Sequence, residues 1–222
     1  MAEFFKTKFF SVIKEGCSGG VVAKYWLTGV LPVFRDGISP LTATTVVSRW
    51  PEYSGLCGLT EQEVQAIATK YLDPTHSDIH IAQVIQQVKL WFNGYRFCPG
   101  SSTPLLYSPQ QVFTYLRAAR LGRPHEHPDA DANVTHTANV LKAISIHGDV
   151  SVNDLFPLLS GGFQARIATE LGAAEVRQLS KSASVTWGLL YYFGVVTHGE
   201  KTGTLEAPNT TMKSFVGIFR DT

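Results

Sequence analysis

Apolar positions recur along the chain at two different periods. Phe5, Phe9, Val12 and Ile13 return at helical spacing, with Lys6, Lys8 and Lys14 elsewhere on the wheel, which predicts an amphipathic helix ended by Gly16. Beyond Gly19-Gly20 the pattern changes. Val21-Val22-Ala23-Lys24-Tyr25-Trp26-Leu27-Thr28-Gly29-Val30 is a nearly continuous β-branched and aromatic run, the pattern of a strand buried on both faces. Pro32 and Arg35-Asp36-Gly37 stop it. Segment 38–58 is rich in Thr, Ser, Pro and Gly and reads as a long loop or short helical turns.

Helical signals come next. Thr60-Glu61-Gln62-Glu63 is a capping box that opens a helix to about Leu72. Ser77 or Asp78 caps the next one, whose stripe is Ile81, Val84, Ile85, Val88, Leu90 and Trp91. Asn93-Gly94 turns the chain into Tyr95-Arg96-Phe97, which can pair with Leu105-Leu106-Tyr107 as a small hairpin. Ser108-Pro109 starts a helix through Arg120, with proline at the first helical position. Residues 121–135 hold glycine, prolines, acids and histidines and read as a linker. The remainder predicts helices near 136–147, 151–159, 162–171 and 182–193. A hairpin then joins Val195-Val196-Thr197 to Thr204-Leu205-Glu206-Ala207, and Pro208-Asn209 opens a last helix. Helices succeeded by a β-hairpin have the order of a winged helix.

The expected fold class is therefore mainly α, with some α+β character. It comprises a helical lid-like bundle, a C-terminal winged-helix-like domain and one residual core strand near the N-terminus. The expected divisions are 1–37, 38–123 and 124–222.

Composition narrows the function classes. The chain has 222 residues and is 44% hydrophobic, so it can build a core and is not disordered in general. A net charge of +1 argues against partners held by bulk charge, although it leaves room for a local patch. DNA is therefore a disfavoured partner. Val185–Val196 is the most apolar stretch, and it falls short of the ~20 residues that a membrane span needs. Three cysteines, Cys17, Cys57 and Cys98, cannot all pair within one chain, and no secretory segment is evident. Both points favour an intracellular setting, cytoplasm or nucleus. The sequons at Asn133 and Asn209 read as chance matches.

The catalytic inventory is thin. A phosphate-binding loop needs Gly-x4-Gly-Lys-Ser/Thr between a strand and a helix; Gly16, Gly19, Gly20 and Lys24 have the wrong spacing. No strand ends in paired acids to hold Mg²⁺. His125-Glu126-His127-Pro128-Asp129-Ala130-Asp131, with His136 beyond, has ligand types suited to Zn²⁺, but it lies in the linker and reads first as a solvated segment. No Gly-x-Ser-x-Gly elbow occurs, and no cysteine has a neighbouring histidine. The helix before the expected wing, Ser182–Phe193, has no Lys or Arg, so it reads as core or a protein contact and not as a groove reader.

Several strings occur together: Leu27-Thr28-Gly29-Val30-Leu31-Pro32, Leu56-Cys57-Gly58-Leu59-Thr60-Glu61-Gln62-Glu63-Val64, Trp91-Phe92-Asn93-Gly94-Tyr95-Arg96-Phe97 and Tyr107-Ser108-Pro109. Near the end come Leu189-Leu190-Tyr191-Tyr192-Phe193-Gly194-Val195-Val196-Thr197 and Leu205-Glu206-Ala207-Pro208-Asn209. In order and spacing this set resembles the AAA-ATPase-like family of P-loop proteins, whose members often carry a nuclease-like domain after the ATPase region. Complete members begin with a strand, the phosphate loop and an acidic metal-holding strand. The resemblance covers only the later parts of such a member: the end of the ATPase core, the helical lid and the winged helix. It implies a polar sensor role near the γ-phosphate for Thr28, if the missing ATPase half is supplied.

The expectation is a non-catalytic remnant or fragment that acts through protein contacts or self-association, with no cofactor of its own. One alternative is a lid and sensor that completes an ATPase in trans, with ATP and Mg²⁺. Another is a nucleic-acid-associated winged-helix module. The apolar run 21–30 is the expected contact, because a core strand without flanking strands leaves an unpaired edge.

Overall fold

The computed structural model describes residues 5–29, 45–48, 50–72, 77–100, 103–123, 150, 152–168, 171 and 182–218. The stop at Pro32, the 121–135 linker beyond Arg123, its histidine and acid cluster, and the helix expected near 136–147 lie outside those residues. The chain is mainly α-helical with small sheets.

A π-helical turn at Phe5–Phe10 runs into α1 (Ser11–Ser18). The helix passes Gly16 and is closed by Gly20, whose φ of 72° is open to glycine without strain. The Gly20 and Val21 amides donate back to the Cys17 and Gly16 carbonyls at 3.2 and 2.9 Å, a Schellman closure. The expected core strand does not form. Val21–Gly29 has no sheet partner among the described residues, and most of its side chains are exposed. An apolar run becomes a buried strand only where other strands complete its ladder, and none does so here. Phe9 and Val12, on the expected apolar face of the first helix, are also exposed.

The next three helices form a bundle. They are α2 (Glu61–Leu72), α3 (Asp78–Phe92) and α4 (Pro109–Arg120). The capping box forms as its residues dictate. The Glu63 carboxylate accepts from the Thr60 amide and hydroxyl, both at 2.8 Å, and the Glu63 amide donates to the Thr60 hydroxyl at 3.3 Å. Ser77 caps α3, accepting from the His80 amide. Burial keeps to the i, i+3, i+4 rule: Val64, Ala68 and Leu72 meet Ile81, Val84, Val88 and Phe92, with Val112 and Leu116 from α4. Leu90, expected in the α3 stripe, faces outward. Between α3 and α4, β1 (Asn93–Tyr95) pairs antiparallel with β2 (Leu106–Tyr107), which is the expected hairpin shifted toward Asn93.

The C-terminal unit starts with a 3₁₀ helix, Val152–Leu159, where Pro157 removes a backbone donor. The helix expected at 162–171 is replaced by β3 (Phe163–Gln164) and extended chain through Ala168. Gly161 and Gly162, at φ 119° and 89°, break from the 3₁₀ helix. The backbone of β3 is then taken up by a central strand, while the Phe163 ring packs edge-on to Trp187 at 4.7 Å. α5 (Ala183–Tyr192) leads to β4 (Thr197–His198) and β5 (Thr204–Glu206), and α6 (Thr210–Ile218) completes the described chain. The sheet order is β3-β5-β4, all antiparallel, with Leu205 between Phe163 and His198. Every residue of α5 from Val185 to Tyr191 is buried.

Bundle and C-terminal unit are clasped by side-chain-to-backbone bonds. The Thr197 hydroxyl accepts from the Arg96 amide at 2.6 Å and donates to the Arg96 carbonyl at 2.8 Å. Tyr191 donates to the Phe97 carbonyl at 2.9 Å. The Thr210 and Thr211 hydroxyls donate to the Leu90 and Trp91 carbonyls, both at 2.9 Å, closing acceptors that the end of α3 leaves open. Gly94, at φ 131°, lies so close to the Pro208 carbonyl that any side chain would run into it.

Candidate interaction surface

The 3₁₀ turn Pro51–Tyr53 is built from local bonds. Pro51 starts it with a preset φ, the Tyr53 amide donates to the Trp50 carbonyl at 3.0 Å, and the Ser54 hydroxyl donates to the Pro51 carbonyl at 2.8 Å. This closes Ser54 inward and turns Trp50, Tyr53 and Leu56 outward. The turn is tied to the bundle a few residues later. Leu59 and Tyr107 exchange both backbone bonds, at 3.1 and 2.9 Å, and Gly58 fits against Leu106, where a Cβ would collide. Trp26, from the extended run after α1, joins the turn. Its ring lies 6.1 Å from that of Tyr53, and the Trp50 ring lies 6.2 Å from the same ring.

The result is a group of three aromatic rings that are 57, 41 and 46% exposed at Trp26, Tyr53 and Trp50, on segments that also expose Val21, Leu27 and Leu56. Large apolar side chains gathered at the surface are the mark of a contact site, because they lose water favourably against a partner. Trp and Tyr add rigid area and a polar edge, which is why they dominate the energetics of protein interfaces.

The sequence placed the contact in residues 21–30 through an unpaired strand edge. The structure presents apolar side chains there, but no strand. It adds Trp50, Tyr53 and Leu56, which the sequence left in a loop without a role; the signal for them was Trp50-Pro51 ahead of an exposed turn. Thr28 is exposed on the same extended segment, without the strand end on which a sensor threonine would stand.

The remaining strings meet elsewhere, at the clasp. Tyr95 is buried there and its phenol is pushed up to about 12 by loss of water, which the neighbouring Asn209 side chain only partly offsets. Glu206 lies in the field of Arg96, Lys213 and Glu200. Burial raises its carboxyl above the usual range, and the two cations only partly offset that. Asn209 is 5% exposed and its side chain accepts from the Met212 amide to cap α6, so its sequon serves the fold. Among the described residues no group of three His, Cys, Asp or Glu could hold a metal. Cys17, Cys57 and Cys98 are reduced thiols, outside any disulfide. No described helix is long and apolar enough to cross a membrane.

No family model, no curated protein and no solved structure matches the chain.

Proposed function

We propose that the chain is a non-catalytic, intracellular relative of the AAA-ATPase-like proteins that works by binding another protein through the Trp26–Tyr53–Trp50 surface. The observation that carries this reading is the exposure of three neighbouring aromatic rings, two on the turn at 50–53 and one, Trp26, from the run after α1. The relationship itself rests on the motif strings. Three of them, Trp91–Phe97, Leu189–Thr197 and Leu205–Asn209, make the clasp between bundle and C-terminal unit, which gives their joint occurrence a structural reason. The winged-helix reading of the C-terminal unit is supported by its element order and by the sheet order β3-β5-β4, in which the strand after the first helical turn joins the hairpin through its second strand. Its central helix α5 is core on all sides, which favours a protein-binding role for this unit over groove reading.

The test pairs affinity capture with activity. The wild-type chain should retain a protein partner, or a second copy of itself, that a Trp26→Ser/Tyr53→Ser variant loses, with unchanged circular dichroism. Equal recovery by both chains overturns the surface assignment. Phosphate release from ATP–Mg²⁺ should not exceed that of a Thr28→Ala control; a higher rate overturns the non-catalytic reading.

A further inference from the structure

The outer face of α4 has no role in the bundle core. Gln110, Phe113, Thr114, Arg117 and Arg120 are all exposed and recur at three- and four-residue steps, so they form one stripe along the helix. Arg117 and Arg120 lie about 4.5 Å apart along the axis. The stripe does not end with the helix. Gly122, at φ 65°, closes it, and the Arg123 amide donates to the Ala118 carbonyl at 3.0 Å, which holds a third arginine beside the last turn.

The end of α2 contributes to the same surface. The Arg120 guanidinium stacks over the Tyr71 ring at 4.8 Å, which brings Lys70 and Tyr71 to the end of α4. The segments Val64–Leu72 and Pro109–Arg123 contain four cations and no acidic residue. In a chain with net charge +1, that is a local concentration of positive charge. Cations in a last helical turn also complement the helix dipole. The dipole does not account for an arginine beyond the helix, nor for Phe113 standing 52% exposed one turn before Arg117.

We propose that this stripe binds single-stranded nucleic acid. Arg117, Arg120, Arg123 and Lys70 would meet successive phosphates, and the Phe113 ring would stack on a base. Gln110, one turn earlier, supplies an amide for base edges. The combination of cations, an exposed ring and an amide on one face fits a strand with its bases unstacked. A duplex is disfavoured because a convex ring has no base face to meet there. An acidic peptide would use the cations and leave the ring and amide without a matching group.

The experiment is fluorescence anisotropy of the full chain with a labelled oligo-deoxythymidine of about sixteen nucleotides, between about 50 and about 200 mM salt. Three to four phosphate contacts predict a log–log salt slope of about −2 to −3. Arg117→Gln/Arg120→Gln should flatten that slope by about 1.4, and the single Arg117→Gln variant by about 0.7, which serves should the double variant misfold. Phe113→Ala should weaken binding about tenfold and leave the slope unchanged. Absence of binding at the lowest salt overturns the proposal, as does an unchanged slope in the arginine variants. Equal affinity for polyglutamate, for duplex of the same length or for phosphatidylserine vesicles likewise overturns it.

Discussion

Two apolar runs in this chain meet opposite fates. Residues 21–29 and 183–193 are both nearly unbroken in hydrophobic and aromatic side chains. The second is helix α5, buried on every side by the 3₁₀ helix, the three-stranded sheet and α6. The first runs along the surface with Val21 85% and Trp26 57% exposed. Composition does not separate them. What differs is the company each keeps. Around α5, Leu155, Leu158, Leu205, Met212 and Phe215 come from other elements and exclude water together. Around 21–29, the described ring contact is with one turn, at Tyr53. A continuous apolar pattern thus identifies a segment that favours being covered, and the neighbours decide whether its own fold or another molecule covers it.

Equivalent truncations should break the symmetry between the runs most visibly. Leu190→Ala, at a fully buried position, is expected to cost about 2–5 kcal/mol, whereas Val21→Ala, at a position 85% exposed, should stay within about 0.5 kcal/mol. Urea denaturation of both variants measures the difference; comparable losses would mean that the 21–29 run is covered within the folded chain. Next in size is the clasp. Thr197→Val keeps the shape of the side chain but removes both bonds to Arg96, leaving a buried amide and carbonyl to find other partners. The expected loss is about 1–3 kcal/mol. It should appear in the bundle and the C-terminal unit together, as one cooperative transition, tracked by tryptophan fluorescence and far-ultraviolet dichroism.

A third test is set by pH at the same clasp. The Tyr95 phenol is neutral in the fold up to about 12, against 10 for the unperturbed group. A raised phenol means that ionisation is easier in the unfolded chain. The stability it confers is complete below pH 10 and drains away as pH rises toward 12. Thermal melts across that window should show a steeper alkaline fall in the wild type than in Tyr95→Phe. Parallel curves would mean that Tyr95 is not held in a dry environment.

Where a local rule governs, the sequence was readable. The capping box at Thr60, the serine cap at Ser77 and the asparagine before α6 each satisfy backbone groups within four residues of themselves, and proline at the start of α4 lacks the donor that would have no partner there, so the pattern and the outcome coincide. The small hairpin between α3 and α4 was visible too, although its first strand begins at Asn93 where a turn was expected. The failures are non-local. Residues 163–164 became a strand because β5, forty residues away in sequence, offered an edge and Trp187 offered a ring. Residues 21–29 meet no such edge among the described residues and form no strand. The candidate surface was half legible: its apolar run was seen, whereas its anchor at Trp50 and Tyr53 depends on a turn fixed to the bundle through Leu59 and Tyr107.

The sequence by itself determined where most of the bundle helices begin and end, most of the face of α3 that turns inward, and that no Gly-x4-Gly-Lys-Ser/Thr string occurs in these residues. These come from backbone groups and side-chain periods that act over a few residues. Only the tertiary structure decided which apolar segments are buried, and that Arg120 meets Tyr71, which brings the cation-bearing ends of α2 and α4 together. It also decided that the strings around Trp91, Tyr191 and Pro208 come together as a clasp. Burial and electrostatic neighbourhood are properties of distance in space, and in this chain the groups that set them stand up to 120 residues apart.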